Sequence, residues 1–277
     1  MSTKIALVTG GTAGVGLSIV KALVKNNYTV FFIGTNEQKG KEIESGLNKN
    51  STTKNTFIKL NLSNLKEVHK FANKFKNEVS HLNLLANVAG VVLLKRQETE
   101  QKLEKTFAIG YLSAFVLSNA LIPLLEKNKH SRIVNVSGIP KQVMNATLNF
   151  DDLYFKKKYN GFKTAVATIH AKTVLTEILS EKLKDKNIDV NSFHPGMVKS
   201  DLTRNMPMLL KILVKMVSPF MAKASKNGIY TSISKKIAGI TGQLFANRKP
   251  IQLHFKKEYK EKLWKETEEM IAQAMSN

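Results

Sequence analysis

Short apolar runs rich in Val, Ile and Phe alternate with longer amphipathic segments along almost the whole chain. The apolar runs predict strands over residues 5–8, 29–33, 56–59, 82–86, 132–136, 189–193 and 243–246. The amphipathic segments predict helices over residues 15–25, 38–47, 65–77, 98–107 and onward to 126, 161–184, 226–237 and 257–274. This alternation favours an α/β fold: a doubly wound parallel sheet flanked by helices on both faces, in three αβα layers.

The turn after the first predicted strand is dense in glycine: Thr9-Gly-Gly-Thr-Ala-Gly-Val-Gly16. Gly10 can adopt the backbone angles of a tight turn, Gly14 lets the chain approach a pyrophosphate, and Gly16 lets the next helix pack against the strand. The N-terminus of that helix then presents N–H groups and the positive end of its dipole to a phosphate. The strand before and the helix after favour dinucleotide binding; a glycine-rich turn without a ligand is the alternative.

Composition narrows the remaining function classes. The 277 residues contain no cysteine, which excludes disulfides and thiolate chemistry and suits a reducing compartment. The first predicted strand begins by Lys4, which leaves no room for a signal peptide, and no long uninterrupted apolar run predicts a spanning helix. We therefore expect a single domain of cytoplasmic location.

The charge is strongly positive, with 43 Lys and Arg against 21 Asp and Glu, or +22. Such an excess is found in nucleic-acid-binding and membrane-binding proteins. The arginines are few, however, and the lysines are spread over the whole chain. Because readers of nucleic-acid sequence rely on arginine forks and exposed aromatic side chains, we expect a lysine-rich solvated surface and no specific nucleic-acid partner.

The stretch 205–222 is unusually apolar and contains several flexible methionines. Three interpretations stay open: a lid over a substrate pocket spanning about residues 204–225, a helix packed on the core, or a peripheral membrane contact. Its two interior lysines argue against a membrane-spanning segment. We expect the lid.

Further motifs, together with the glycine turn, resemble the short-chain dehydrogenase/reductase family, and most closely its retinol-dehydrogenase-like branch. These motifs are Asn61-Leu-Ser63, Asn87-Val-Ala-Gly90, His194-Pro-Gly-Met-Val-Lys-Ser200-Asp-Leu, Ser218-Pro-Phe-Met-Ala-Lys and Lys262-Leu-Trp264. The resemblance runs nearly end to end. It implies one NAD(P)-binding Rossmann domain over residues 1–277.

The resemblance also implies which residues bind the cofactor. They are Gly10, Thr12, Ala13, Gly14, Val15, Gly16, Thr35, Asn36, Asn61, Leu62, Asn87, Ala89, Gly90, Pro195, Gly196 and Val198. NAD-preferring sites place a carboxylate directly after the second strand. Here Thr35 and Asn36 stand there instead, and Lys39 or Lys41 follows to neutralise a phosphate, so we expect NADP(H) rather than NAD(H).

The family's chemistry requires a tyrosine acid/base, a lysine that lowers its pKa, a carbonyl-binding serine and a supporting asparagine. Tyr159, Lys163 and Ser137 are the catalytic candidates that local motifs provide. In the family, the tyrosine and lysine stand at a usual interval before the Pro-Gly turn. Counted back from Pro195, that interval places the tyrosine position at Ala165 and the lysine position at Ile169. The surrounding motifs place the asparagine position at Gly110 and the serine position at Gly138.

Three functional hypotheses follow. The first is an NADP(H)-dependent oxidoreductase of a lipophilic alcohol or carbonyl, with Tyr159 as acid/base. The second is a pseudoenzyme that binds NADP(H) as a sensor or scaffold, and the third is an enzyme repurposed for non-redox chemistry. His170 and His194 are candidate substitutes for the acid/base, and the histidine spacing predicts no metal site. A homodimer is a further open expectation.

Overall fold

The computed structural model describes residues 3–49, 51–198 and 221–276 of the chain. Within them, eight strands form one sheet in the order β3-β2-β1-β4-β5-β6-β7-β8. The strands are β1 (Lys4–Thr9), β2 (Tyr28–Gly34), β3 (Thr56–Lys59), β4 (Leu84–Asn87), β5 (Ser131–Val136), β6 (Ile188–Phe193), β7 (Gln243–Ala246) and β8 (Lys249–Gln252). Strands β1 to β7 pair with one another in parallel, which confirms the predicted doubly wound sheet.

Strand β8 pairs antiparallel with β7 and was missed by the sequence prediction. Its four residues include Pro250 and are largely exposed, so they lack the apolar run that marks the other strands. Asn247 and Arg248 make the turn, with φ of +50° and +61°. Two consecutive residues with positive φ fit the twist of a tight hairpin, and such a strand suits the edge of a sheet.

The helices cover both faces of the sheet. They are α1 (Gly14–Lys25), α2 (Glu37–Asn48), α3 (Leu65–Glu78), α4 (Lys105–Phe107), α5 (Ser113–Leu125), α6 (Pro140–Asn145), α7 (Gly161–Lys182), α8 (Lys226–Ile233) and α9 (Lys257–Ser276). The predicted start of a helix at residue 98 is wrong. Glu98 pairs with Glu104 in an isolated β-bridge, and the Glu104 carboxylate accepts from the Phe107 N–H at 2.7 Å to begin α4.

Alternating strand residues feed two apolar cores. Leu7, Leu85 and Ile133 point to the face covered by α3, α5, α7 and α9. Ala6 and Val8 point to the opposite face, which α1 and α8 cover. Both faces of the parallel strands are therefore buried, which explains why the strands are continuous apolar runs in the sequence.

Helix α4 continues into α5 through one π-helical turn, Ala108–Leu112. The combined stretch Lys105–Leu125 is long and apolar enough to cross a membrane by length and composition alone. Its most apolar part is 72% buried inside the fold, as in the core helix of a globular domain. Most of the predicted lid, 204–225, lies outside the described residues.

Candidate cofactor and active site

The glycine turn joins β1 to α1 where β1 lies between β2 and β4, the point at which the strand order reverses. Open α/β sheets bind their ligands at the carboxyl ends of the strands at such a point. Gly10 and Gly14 have φ of +67° and +49°, a backbone region that favours glycine. A Cβ on Gly16 would lie 2.2 Å from the carbonyl oxygen of Gly10, so α1 can pack this closely only with glycine there.

Thr9 holds the glycine turn against the end of β4. Its hydroxyl accepts hydrogen bonds from the N–H groups of Val88 at 2.9 Å and Ala89 at 3.1 Å. A Cβ on Gly10 would lie 3.0 Å from the Cα of Ala89. Two of the segments predicted to bind cofactor, the glycine turn and the stretch from Asn87 to Gly90, are thus brought into contact.

The N-terminus of α1 is open to an anion. Among the described residues, no side chain hydrogen-bonds the N-cap position at Ala13, and the first turn contains no acidic residue. The N–H groups of the first helical turn, Gly14, Val15 and Gly16, have no partner within an α-helix by geometry. Thr12 precedes these residues in the same turn. Its methyl group would lie 2.6 Å from a Cβ on Gly34, so the turn also packs closely against the end of β2.

The residues after β2 are exposed but partly engaged. The Asn36 side chain caps α2 by accepting from the Lys39 N–H at 2.9 Å, and Thr35 beside it is exposed. Lys41 forms an ion pair with Glu44 at 2.7 Å. Helix capping therefore occupies the side-chain Oδ1 of Asn36, whereas its side-chain amide N–H groups make no hydrogen bond with the described residues.

The two remaining predicted cofactor segments also lie at the carboxyl edge of the sheet. After β3, the side-chain Oδ1 of Asn61 accepts from the Ser63 N–H and hydroxyl, and Leu62 is buried. After β6, Gly196 has φ of +76°. Pro195, Gly196 and Val198 line a cavity of about 450 Å³ together with the start of α8.

A ladder of buried amides crosses the sheet beneath these segments. The side-chain amide of Asn87 donates to the Ser118 hydroxyl at 3.0 Å and to the side-chain Oδ1 of Asn135 at 2.9 Å. Asn135 in turn donates to the Thr176 hydroxyl at 3.0 Å. Within the described part of the chain, the buried Oδ1 of Asn87 has no hydrogen-bond partner. An orphaned acceptor of this kind marks a place where a ligand or water completes the hydrogen bonding.

The four positions identified by counting back come together around the inner side of α7. A Cβ on Gly138 would lie 3.4 Å from the Cγ2 of Ile169, and one on Gly110 would lie 2.5 Å from the Cγ2 of Thr168. Gly110 stands inside the π-turn, a local geometry that recurs at functional sites. Ala165 lies one turn before Ile169 and is buried.

Of the three catalytic candidates, Ser137 lies at the centre of this region. Its hydroxyl is 2.6 Å from that of Thr173 on α7, and both residues are buried. Ser137 thus shares a hydroxyl pair beside the carboxyl end of β5.

Tyr159 and Lys163 lie at the other end of α7. The Tyr159 hydroxyl donates to the Leu93 carbonyl at 2.6 Å and approaches the Glu104 carboxylate at 3.3 Å. Burial, assisted by the negative charge of Glu104, raises the pKa of Tyr159 to about 12. This direction is opposite to the lowering by Lys163 that we expected, and Lys163 is exposed. The catalytic roles of the two residues stay predictions.

The sequence prediction missed Lys172, which lies on the inner side of α7. Its side chain is buried, 2% exposed, and its Nζ is 3.3 Å from the Ala89 carbonyl oxygen. Burial lowers the pKa of this amine to about 7. In the sequence, Lys172 is one of many lysines, and it is the burial of its side chain on α7 that distinguishes it.

The two histidine candidates differ in their surroundings. His170 is buried; its Nδ1–H donates to the Val143 carbonyl at 2.6 Å and its Nε2 accepts from the Tyr259 hydroxyl at 2.7 Å. Burial lowers the pKa of both His170 and His194. In the described ranges, no three His, Asp or Glu side chains are grouped closely enough to hold a metal ion.

Comparison with known proteins agrees with this geometry. The model of the short chain dehydrogenase family matches residues 4–208. The chain is 28% identical to the polyprenol dehydrogenase of Homo sapiens over 96% of its length and 84% of that protein. It is 30% identical to the polyprenol dehydrogenase of Danio rerio (95% and 85% covered) and 29% identical to retinol dehydrogenase 14 of Mus musculus (98% and 86% covered).

Solved structures support the same fold. A putative NAD(P)-dependent gluconate 5-dehydrogenase from Beutenbergia cavernae, with NADP bound, superposes with a TM-score of 0.68 at 18% identity, covering 89% of this chain and 95% of that one. An uncharacterised protein from Mycobacterium paratuberculosis gives 0.73 at 18% identity, with 98% and 94% covered. The glycine turn, the strand order and these matches together place the chain in the short-chain dehydrogenase family, in its retinol-dehydrogenase-like branch.

Proposed function

We propose that the protein is an NADP(H)-dependent oxidoreductase of a lipophilic alcohol or carbonyl compound. The observation that carries this proposal is the glycine turn. Its Gly10 and Gly14 have positive φ, and its Gly16 packs too closely against the Gly10 carbonyl to carry a side chain. The residues present fit a dinucleotide: a Cβ at Gly16 would fill the space that the turn needs, and the α1 N-terminus is uncapped by side chains. The orphaned Oδ1 of Asn87 lies below the same edge.

The chain's own residues perform distinct tasks in this proposal. The N–H groups of Gly14, Val15 and Gly16 bind the pyrophosphate, and Thr9 keeps Ala89 against the turn. A bound nicotinamide would supply or accept the hydride of the reaction, and in this proposal the Tyr159 hydroxyl gives or takes the proton. Ser137 orients the substrate oxygen through the hydroxyl that it shares with Thr173.

The preference for NADP(H) is supported by the residues after β2. Thr35 and Asn36 carry no charge, so they do not repel a 2′-phosphate. The nearest carboxylate, Glu37, is paired with Lys59 at 2.8 Å, and this hydrogen bond lowers its pKa. Two of the solved relatives, from Beutenbergia cavernae and Escherichia coli CFT073, contain NADP and NADPH.

A lipophilic substrate is supported by the relatives and by exposed apolar side chains. The curated relatives named above are dehydrogenases of polyprenol and retinol. Ile139, Phe162 and Met197 are 56%, 50% and 68% exposed, and they follow β5, begin α7 and follow β6. In this proposal, residues 204–225, most of which lie outside the described residues, keep the lid role expected from their sequence. We also propose a cytoplasmic location, with peripheral contact to membranes that contain such substrates.

A second candidate function is that of an NADP(H)-binding protein without hydride transfer. Two observations favour it. The Tyr159 hydroxyl is hydrogen-bonded to the Leu93 carbonyl and the Glu104 carboxylate. Glycine, which has no side chain, stands at Gly110 and Gly138, where the family pattern places its asparagine and serine. In this case, the cofactor site senses NADP(H) or stabilises a scaffold.

A turnover assay separates the two candidates. Purified protein is mixed with NADPH and long-chain aldehydes, including retinal, and with NADP and the matching alcohols, and absorbance at the nicotinamide band is followed. Turnover that falls in Ser137→Ala supports the oxidoreductase. NADPH binding without turnover of any of these substrates supports the non-catalytic protein.

A further inference from the structure

Lys172 is a buried amine that makes fewer hydrogen bonds in the described structure than it can donate. An ammonium group has three donors. Within the described part of the chain, the Nζ of Lys172 makes one hydrogen bond, to the Ala89 carbonyl at 3.3 Å, which is long for a charged donor. Two donors of a nearly inaccessible side chain are therefore without a described acceptor. Lysine is rarely buried in this way unless it is paired.

The buried charged and titratable groups of the elements packed on α7 have other described partners. They are Glu177 with Lys260, Glu104 with the Phe107 N–H, Asp189 with His130, Arg132 with the Ser234 carbonyl, Tyr111 with Thr267, and His170 with Tyr259. Burial is accordingly the cause of the low pKa of Lys172, and none of these described carboxylates opposes it. The amine is close to half protonated near neutral pH.

The position of this amine connects it to the cofactor cradle. Ala89, whose carbonyl it contacts, is the residue that the glycine turn packs against and that Thr9 holds. On the same helix, the next residue, Thr173, pairs with Ser137. Lys172 therefore lies beneath the meeting point of β1, β4 and β5, where the proposed dinucleotide would bring a doubly negative pyrophosphate.

We propose that Lys172 is a positioning residue for the cofactor: it engages the bound dinucleotide from beneath Ala89 and takes up a proton from solvent as the dinucleotide binds. This inference rests on the proposed function, because it requires that the glycine turn bind a dinucleotide. It is independent of whether hydride transfer occurs. The family pattern places its lysine at the position of Ile169. In this proposal, Lys172, three residues later, provides the positive charge instead.

The physical basis is linkage between binding and protonation. Negative charge and hydroxyl acceptors brought near an amine favour its charged form, so the pKa of Lys172 rises in the complex. The protonated protein then binds more tightly than the neutral one. If the amine is fully charged in the complex, affinity falls about fifty-fold between pH 7 and pH 9.

The test is calorimetric titration of the whole protein with NADPH and with NADH at pH 7, 8 and 9, in buffers of different ionisation enthalpy. Wild type should take up close to one proton at pH 8 and bind more weakly as pH rises. Lys172→Met should take up no proton and lose this pH slope. Lys184→Met, which removes an exposed lysine just beyond α7, should behave as wild type.

The outcomes are distinguishable. Binding by wild type without proton uptake, and with the same pH slope in Lys172→Met, would overturn the role of Lys172 while leaving the cofactor site intact. Lack of NADPH and NADH binding at every pH would overturn the proposed function itself. Should Lys172→Met fail to fold, proton uptake by wild type alone decides, and Lys172→Arg, which stays charged at every pH, should bind with no slope.

Discussion

Replacing Lys172 by methionine should stabilise the cofactor-free protein, by an amount that depends on pH. The folded state contains this amine buried against Ala89, 2% exposed and with one hydrogen bond in the described residues. Methionine fills a similar volume without charge. The change therefore removes an ammonium that folding takes out of water.

The magnitude follows from the pKa, which burial lowers from 10.5 to about 7. Each unit corresponds to about 1.4 kcal/mol, so burying the charged amine costs on the order of 4 kcal/mol at pH 7. Lys172→Met avoids this cost but also loses the hydrogen bond to Ala89, which offsets about 1 kcal/mol of the stabilisation. We expect Lys172→Met to be more stable than wild type by about 2 to 3 kcal/mol at pH 7.

The pH dependence gives the sharper test. Between pH 7 and pH 10.5 the unfolded chain binds the proton and the folded chain does not, so wild type gains stability as pH rises. The advantage of Lys172→Met should be largest below pH 7 and shrink by about 2 kcal/mol between pH 7 and pH 9.

Urea unfolding at pH 6, 7, 8 and 9, followed by circular dichroism, measures this difference. Lys184→Met serves as the control, because that exposed lysine should give the same stability as wild type at each pH. A difference between Lys172→Met and wild type that stays constant from pH 6 to pH 9 would mean that Lys172 is charged at all these pH values in the folded protein, and that burial does not lower its pKa into this range.

Three other substitutions test separate parts of the site. In Gly16→Ala, the new Cβ would lie 2.2 Å from the Gly10 carbonyl oxygen, so NADPH affinity should fall more than tenfold. The control is Gly46→Ala, where the new Cβ meets open space. This variant should raise the free energy of unfolding by roughly 0.5–1 kcal/mol in thermal unfolding. Asn36→Ala removes the α2 cap and should cost about 1 kcal/mol, while weakening NADPH more than NADH in fluorescence titration. Tyr159→Phe should reduce turnover by about 10²–10⁴ if its hydroxyl is the proton donor; unchanged turnover would remove that role.

Much of the fold was predictable because the strands are local apolar runs. The strand 56–59 and the strand 243–246 were predicted with the bounds that the structure has. The glycine turn was equally readable, since Gly10 and Gly14 have positive φ and Gly16 packs closely against the Gly10 carbonyl, all within one short segment.

The parts that were missed depend on contacts distant in sequence. Residues 98–104 appeared helical, but the bridge between Glu98 and Glu104 and the capping of Phe107 start the helix later. The π-turn at Ala108–Leu112 leaves no local signature. Lys172 was overlooked because a lysine in a lysine-rich chain is unremarkable until the structure places it under Ala89.

The first experiment is a titration of the purified protein with NADPH and with NADH, followed by nicotinamide fluorescence. We expect saturable NADPH binding in the micromolar range, weaker NADH binding, and more than tenfold weaker binding of both in Gly16→Ala. A folded wild-type sample that binds neither cofactor, or a Gly16→Ala variant that binds as well as wild type, would show that the glycine turn is not a working dinucleotide site.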